Sequence, residues 1–160
     1  MGLFESRLYC PALWFVVLII PMYSSGCRTS AQPFTISGPG WRVQEGQALW
    51  RPREQFPELG GDLVMAGNED GRSVVQFAKT PLPLVLAQTT RTNWYIEFPT
   101  QRMNFAGRGP SPTRFTWLYL HAALSGEAIP ACLRFERKQD GGWRLENTRS
   151  GETLEGFLTP

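Results

Sequence analysis

Cys27 is the residue whose surroundings point most specifically to a chemical reaction. It directly follows Ser24, Ser25 and Gly26, and an apolar stretch over 8–22 lies before these small residues. A secretory peptidase recognises an apolar core of this kind when small residues follow it at the cleavage position. The pattern therefore predicts a secretory signal, with the thiol of Cys27 next to the point at which the chain would be cut.

This arrangement resembles the signal peptide of bacterial lipoproteins. The resemblance implies cleavage just before Cys27 and attachment of diacylglycerol and an N-acyl chain to that cysteine, which would hold the protein on a membrane. In enteric lipoproteins an aspartate after the cysteine is associated with retention in the inner membrane. Arg28 stands at that position, so the expected location is the outer membrane of a bacterial envelope, facing the periplasm. An uncleaved anchor helix is the alternative, although Pro11 and Pro21 bound a run shorter than the about 20 apolar residues that span a bilayer.

Residues suited to catalysis are sparse in the rest of the chain. His121 is the only histidine, and its apolar neighbours Leu120 and Ala122 favour a packed helix residue. Cys132 also has apolar neighbours, which is typical of a buried, inert thiol. We find no zinc-type spacing, phosphate-binding loop or nucleophile elbow. The sequence therefore predicts a protein that is not an enzyme and that uses no metal or other cofactor.

Composition and charge narrow the class of protein further. The chain has 16 basic and 14 acidic residues, a net charge of +2, and so lacks the basic surface of a nucleic-acid-binding protein. A segment over 27–40, rich in proline, glycine and small polar residues, is predicted to be a flexible tether. The remaining residues, 41–160, are enough for one domain with its own core. The predicted organisation is thus a signal peptide over 1–26, a tether and a single domain.

The domain shows the period-two alternation of β-strands. In the clearest example, the predicted strand 93–98, Trp94, Ile96 and Phe98 face one way, while Tyr95 and Glu97 face the other. Strands are also predicted over 47–51 and 152–158. The connections between such runs are too short for parallel crossovers, so neighbouring strands should be antiparallel. We expect a mainly β fold of about seven to nine strands, in which a curved antiparallel sheet forms an incomplete β-barrel, or half-barrel.

One α-helix, over about 112–125, is expected to cover this sheet. Ser111 suits the N-cap, Pro112 suits the first helical position, and Gly126 suits the left-handed position after the last turn. The apolar surface of this helix is wider than a single packing face requires. The excess indicates either a helix covered on several sides or a helix that lies over a cavity.

An anchored lipoprotein with an antiparallel sheet, a covering helix and a terminal strand meander resembles the LolA and LolB family of outer-membrane lipoprotein-sorting proteins. The resemblance implies a half-barrel that binds acyl chains, or a lipoprotein in transit, without chemical conversion. The alternative is an accessory or scaffold lipoprotein that binds another envelope protein through its sheet. An open, dry concave face would favour the first function, and a filled core the second.

Two sets of residues follow from the acyl-chain hypothesis. Leu82 and Leu84, beside Pro81 and Pro83, are candidates for an apolar loop that inserts into the membrane. The candidate lining of the apolar ligand cavity comes from two predicted strands and the helix: Trp94, Ile96, Phe98, Phe105, Phe115, Leu118 and Tyr119.

Overall fold

Nine strands of one antiparallel sheet dominate residues 33–159, the part of the chain that this computed structural model describes. The predicted signal peptide over 1–26 and the predicted attachment site Cys27 lie outside the described residues. The strands are β1 (Trp41–Arg51), β2 (Leu59–Asn68), β3 (Ser73–Lys79), β4 (Leu82–Thr89), β5 (Asn93–Phe98), β6 (Met103–Arg108), β7 (Leu133–Arg137), β8 (Trp143–Asn147) and β9 (Glu152–Leu158).

The order of strands in the sheet is β6-β5-β4-β3-β2-β1-β9-β8-β7. Strand β1 joins two meanders, because it pairs with β2 along most of its length and with β9 from Gly46 to Arg51. Strands β6 and β7 do not pair with each other, so the sheet stays open. This confirms the predicted mainly β fold, a curved and unclosed antiparallel sheet with one short helix.

The core lies on the inner, concave face of this sheet. Cross-strand neighbours such as Met65 with Val75 and Ala87 with Ile96 share this face, as the period of two requires. A helical segment between β6 and β7 packs against them. The buried apolar side chains of this core are Ala48, Trp50, Leu63, Met65, Val75, Phe77, Val85, Ala87, Ile96, Leu133, Trp143, Leu145 and Leu154 from the sheet, with Trp117, Leu118, Leu120, Ala123 and Leu124 from the helical segment.

Two tryptophans on the inner face lie over glycines of the neighbouring strand. Trp94 is paired with Gly107, and a Cβ atom on that glycine would lie 2.5 Å from the indole ring. Trp143 is paired with Gly156, where a Cβ atom would lie 2.8 Å from the ring. The missing side chain lets each indole lie flat along the sheet, and thus the glycines are there for packing rather than for a turn.

The helical segment is shorter than the predicted 112–125. A 3₁₀ turn covers Thr116–Tyr119, and the α-helix, α1, covers Leu120–Leu124. Contacts with the sheet displace the first predicted turn, because Asn147 Nδ2 donates to Thr113 O at 2.8 Å and Phe115 adopts an extended backbone with φ −112°. Tertiary contacts therefore override the local helix signal of Ser111 and Pro112.

The helix ends as predicted at Gly126, which has φ +77°. Gly126 N–H donates to Ala123 O at 3.2 Å, and Glu127 N–H donates to Ala122 O at 2.9 Å. These two bonds form the Schellman pattern, in which glycine relieves the strain of the left-handed conformation. No helix within residues 33–159 is long and apolar enough to cross a membrane.

The outer face of the sheet is covered at one place by the chain that precedes β1. The side-chain amide of Gln88 donates to Phe34 O at 2.8 Å and accepts from Phe34 N–H at 2.9 Å. Arg72 lies over the rings of Phe34 and Trp41, 5.7 and 5.2 Å from their centroids. Within the described residues, the predicted tether over 27–40 is therefore attached to the sheet at Phe34.

Candidate functional site

Four of the residues predicted to line a cavity form an aromatic cluster at one corner of the inner face. Phe115 lies at the centre, with its ring centroid 6.0 Å from Trp94, 6.3 Å from Phe98 and 5.1 Å from Phe105. The tilted ring geometry is that of a packed aromatic cluster. The strands β5 and β6 and the chain before the 3₁₀ turn therefore meet where the sequence analysis expected them to meet.

The other three predicted cavity residues lie beneath or beside the helical segment. Ile96 and Leu118 are buried in the core, with 0% and 5% of their surface exposed. Tyr119 is half-buried, and its hydroxyl donates to the carbonyl of Ser111. The space between the helical segment and the sheet is thus filled by side chains at these positions.

An open groove, here called the mouth groove, begins where this filled core ends. It has a volume of about 660 Å³ and lies between the chain after β1, the β5–β6 turn and the chain before the 3₁₀ turn. Its lining is mostly aromatic and apolar, with two arginines: Trp50, Pro52, Arg53, Phe56, Phe98, Gln101, Met103, Phe105, Arg114 and Phe115.

The mouth groove combines exposed apolar side chains with positive charge. Phe56 is 50% exposed and Met103 is 43% exposed, which is unusual for such large apolar residues. The Arg114 guanidinium lies 5.5 Å from the ring centroid of Phe105 and 4.7 Å from that of Phe115, within range of a cation–π interaction. Among residues 33–159, no aspartate or glutamate lines this groove. Such a surface suits an elongated apolar ligand with a negatively charged group.

A buried polar network lies next to Trp50, outside the groove lining. The indole Nε1–H of Trp50 donates to Glu152 at 2.8 Å, and the Thr116 hydroxyl donates to the other carboxyl oxygen at 2.5 Å. Burial raises the pKa of Glu152 above its usual range, although these two hydrogen bonds oppose the rise. The network fixes the start of the helical segment over β1 and β9, and so holds Phe115 at the edge of the groove.

Three turns place further apolar residues at the same end of the sheet. The β1–β2, β3–β4 and β5–β6 connections share this end, because successive turns of an antiparallel meander alternate between the two ends. Leu82, at the start of β4, is 55% exposed here, like Phe56 and Met103 in the other two connections. Leu84, the second residue of the predicted apolar loop, is half-buried and packs against the core.

A second groove, on the outer face, has a similar volume but a different character. It measures about 640 Å³ and includes the exposed side chains of Leu49 and Phe157. Asp62, Asp140 and Glu155 also line it, together with Lys138, which forms an ion pair with Glu155 at 2.7 Å. Because the carboxylates outnumber this one cation and would repel an anionic ligand, the outer groove serves as a comparison for the mouth groove.

His121 and Cys132 are both packed against other parts of the domain. His121 fits over Gly67, where a Cβ atom would lie 2.1 Å from the imidazole, and burial lowers the pKa of His121. Cys132 is half-buried and packs against the core. No group of three or more histidine, cysteine or acidic residues among 33–159 could hold a metal ion.

The sequence analysis missed several residues of the mouth groove. Phe56 stands in a proline-rich, charged loop and Arg114 in a stretch predicted to be helical, so neither showed a strand or helix face. A large aromatic residue within a polar loop is the signal that could have found Phe56.

No protein family model matches this sequence, and no curated protein matches it significantly.

Proposed function

We propose that the mouth groove binds the acyl chain of an anionic amphipathic lipid, and that the protein is a non-enzymatic, membrane-anchored carrier or receptor for acyl chains or lipoproteins in transit. The observation that carries this proposal is the open aromatic groove with Arg53 and Arg114 among its lining residues. The mouth groove is not the cavity that was expected between the helix and the sheet, because side chains fill the space between those two elements.

The size and chemistry of the groove support this ligand class. Its volume of about 660 Å³ lies within the roughly 300–1,000 Å³ of ordinary ligand pockets. An acyl chain against Phe56 and Met103 would remove apolar surface from water, which contributes roughly 25 cal/mol per Å² before association costs. A carboxylate or phosphate at the polar end of the ligand would meet Arg114, whose guanidinium is already held over two rings.

A matched pair of variants tests this proposal. Phe56→Glu places a negative charge in the mouth groove, and Phe157→Glu places the same charge at an equally exposed position, 47% against 50%, on the outer face. We expect Phe56→Glu to weaken uptake of a fluorescent fatty acid by about tenfold, the equivalent of about 1.4 kcal/mol. Phe157→Glu should bind like the wild type. Equal losses in both variants, or no uptake by the wild type, would reject the proposal.

We also propose that Cys27 carries the lipid anchor in the bacterial outer membrane. The support is the sequence pattern over 8–27, and several acyl chains would hold the protein stably on a membrane. Replacing Cys27 by serine should abolish metabolic labelling with a palmitate analogue. Equal labelling of wild type and variant would show that the lipid, if any, is attached elsewhere.

The filled core favours a second function, that of an accessory or scaffold lipoprotein that binds another envelope protein. Leu118, a central residue of the expected cavity, is only 5% exposed, because side chains occupy the space beneath the helical segment. If the folded wild type takes up no fatty acid, the result supports this second function and rejects the first.

A further inference from the structure

The outer strands of the sheet, β6 and β7, differ in the main-chain groups that they leave open. Bonded and non-bonded residue pairs alternate in an antiparallel ladder, and residues of non-bonded pairs direct their N–H and C=O groups away from the partner strand. Gly109 N–H donates to Thr92 O at 2.8 Å, just beyond the β5–β6 ladder. This bond marks Thr92 and Gly109 as a bonded pair, so that alternate pairs along the ladder place Asn104 and Ala106 in non-bonded pairs. Their N–H and C=O groups therefore point away from β5, and no strand within residues 33–159 pairs with that side of β6.

The edge at β7 has one of its outward N–H groups already bonded. The same alternation directs the main-chain groups of Leu133, Phe135 and Arg137 outward. There Leu133 N–H already donates to Pro130 O at 2.8 Å, and the Arg137 guanidinium reaches Leu124 O at 2.5 Å. Proteins protect exposed edges by such contacts because an open edge can pair with another chain. Strand β6 has no proline to block this pairing.

The chain around β6 is positively charged. Residues 99–115 contain arginines, among them Arg102 and Arg114, and no aspartate or glutamate. On the neighbouring strand, Glu97 pairs with Asn104, and its carboxylate accepts a hydrogen bond from a tyrosine hydroxyl at 2.8 Å. An incoming strand with carboxylate side chains would therefore meet a complementary surface, whereas a basic strand would be repelled.

The inner side of the same edge is apolar. Met103 is 43% exposed, and both Met103 and Phe105 line the mouth groove. Because side chains alternate between the faces of a sheet, every second residue of an added strand would lie beside these two side chains. A partner strand therefore needs apolar side chains on the face that lies beside Met103 and Phe105.

We propose that the β6 edge binds an extended, acidic segment of a partner protein, which adds to the sheet as a further strand. Main-chain hydrogen bonds would give affinity, and alternating apolar and acidic side chains would give specificity. A second copy of this chain fits less well, since its β6 strand would bring a segment without carboxylates to an edge that favours an acidic partner. The proposal does not depend on acyl-chain binding, and it gives the protein-binding alternative a defined surface.

Hydrogen exchange on the purified full-length protein tests the pairing directly. The probes are a short capped peptide of alternating leucine and glutamate and a matched peptide of alternating leucine and lysine. We expect saturable binding of the glutamate peptide, weaker at high salt, and about tenfold slower exchange of the Asn104 and Ala106 amides. Absence of protection, or equal binding of the lysine peptide, would overturn the proposal. Protection that rises with protein concentration alone would identify a second copy as the occupant and would also overturn it.

Two substitutions at one position separate the main-chain bonds from the side chain. Ala106→Pro removes an N–H that faces the open edge, where proline is tolerated, and Ala106→Val keeps it. The proline variant should bind the glutamate peptide about tenfold more weakly, and the valine variant within about twofold of wild type. Unchanged binding by a folded proline variant would contradict the proposal; if that variant does not fold, the exchange result on the wild type decides. Fatty-acid uptake, measured in the same samples, tests the mouth groove separately.

Discussion

The inner face of the sheet is closed beneath the helical segment and open beside it. Beneath the segment, Trp117, Leu118 and Leu120 fill the space against the sheet and are at most 5% exposed. Beside it, Phe56 and Met103 leave about half of their surfaces in contact with solvent. The two regions share an apolar composition, so residue type alone does not separate a core from a binding surface. The difference lies in whether another element covers the side chains.

The largest expected effect comes from placing a charge in the closed region. Leu118→Glu would bury a carboxylate with no cationic partner, and we expect it to lower the free energy of unfolding by about 3–5 kcal/mol. Chemical denaturation checks this value. Met103→Glu is the matched control in the open region and should cost less than about 1 kcal/mol. A well-folded Leu118→Glu protein would show that the helical segment lies over a space able to hold a ligand.

A smaller effect is expected where an indole covers a glycine. In Gly107→Ala the new methyl group would meet the Trp94 ring at 2.5 Å, so the aromatic cluster must shift, at a cost of about 1–3 kcal/mol. Gly60→Ala is the control, because its nearest neighbour is a Leu49 methyl group at 3.4 Å. The melting midpoint of the Gly107→Ala protein should therefore be lower than that of the Gly60→Ala protein. Equal midpoints would show that the aromatic cluster is loosely packed.

The smallest effect on stability is the pH dependence that comes from Glu152. Because burial raises its pKa in the folded state, the folded protein binds this proton more tightly than the unfolded chain does. Stability should therefore fall as the pH rises from about 4.5 towards the raised pKa, by about 1.4 kcal/mol for each pH unit over which only the folded state is protonated. Glu152→Gln should flatten this slope in denaturation curves between pH 4 and about 7. An unchanged slope in the Glu152→Gln protein would show that other titratable groups cause the pH dependence.

The sequence predicted strands well where one face alternates cleanly. The bounds 93–98 and 152–158 agree with β5 and β9. In β5 the large apolar residues Trp94, Ile96 and Phe98 recur at every second position. Strand β1 begins six residues before the predicted 47–51 segment, because the exposed residues Arg42 to Glu45 show no apolar alternation. Their place in the sheet comes from pairing with β2, a non-local contact that a local pattern does not contain.

The candidate site was harder to predict than the fold. Alternation identified the face shared by Trp94, Phe98 and Phe105, and these residues do meet Phe115. Whether such residues are covered or open to solvent depends on where the helical segment begins, and that position is set by contacts such as Asn147 with Thr113. Those contacts join residues 34 positions apart in the chain, so no local signal specifies them.

Photocrosslinking with a diazirine-labelled palmitate tests the central claim most directly, because it reports where the acyl chain lies. The labelled protein is digested, and mass spectrometry identifies the modified residues. If the mouth groove binds acyl chains, the label falls on Phe56, Met103 and their neighbours in that groove, and unlabelled palmitate competes it away. Label concentrated around Leu49 and Phe157 on the outer face, or label that palmitate does not displace, would contradict the account.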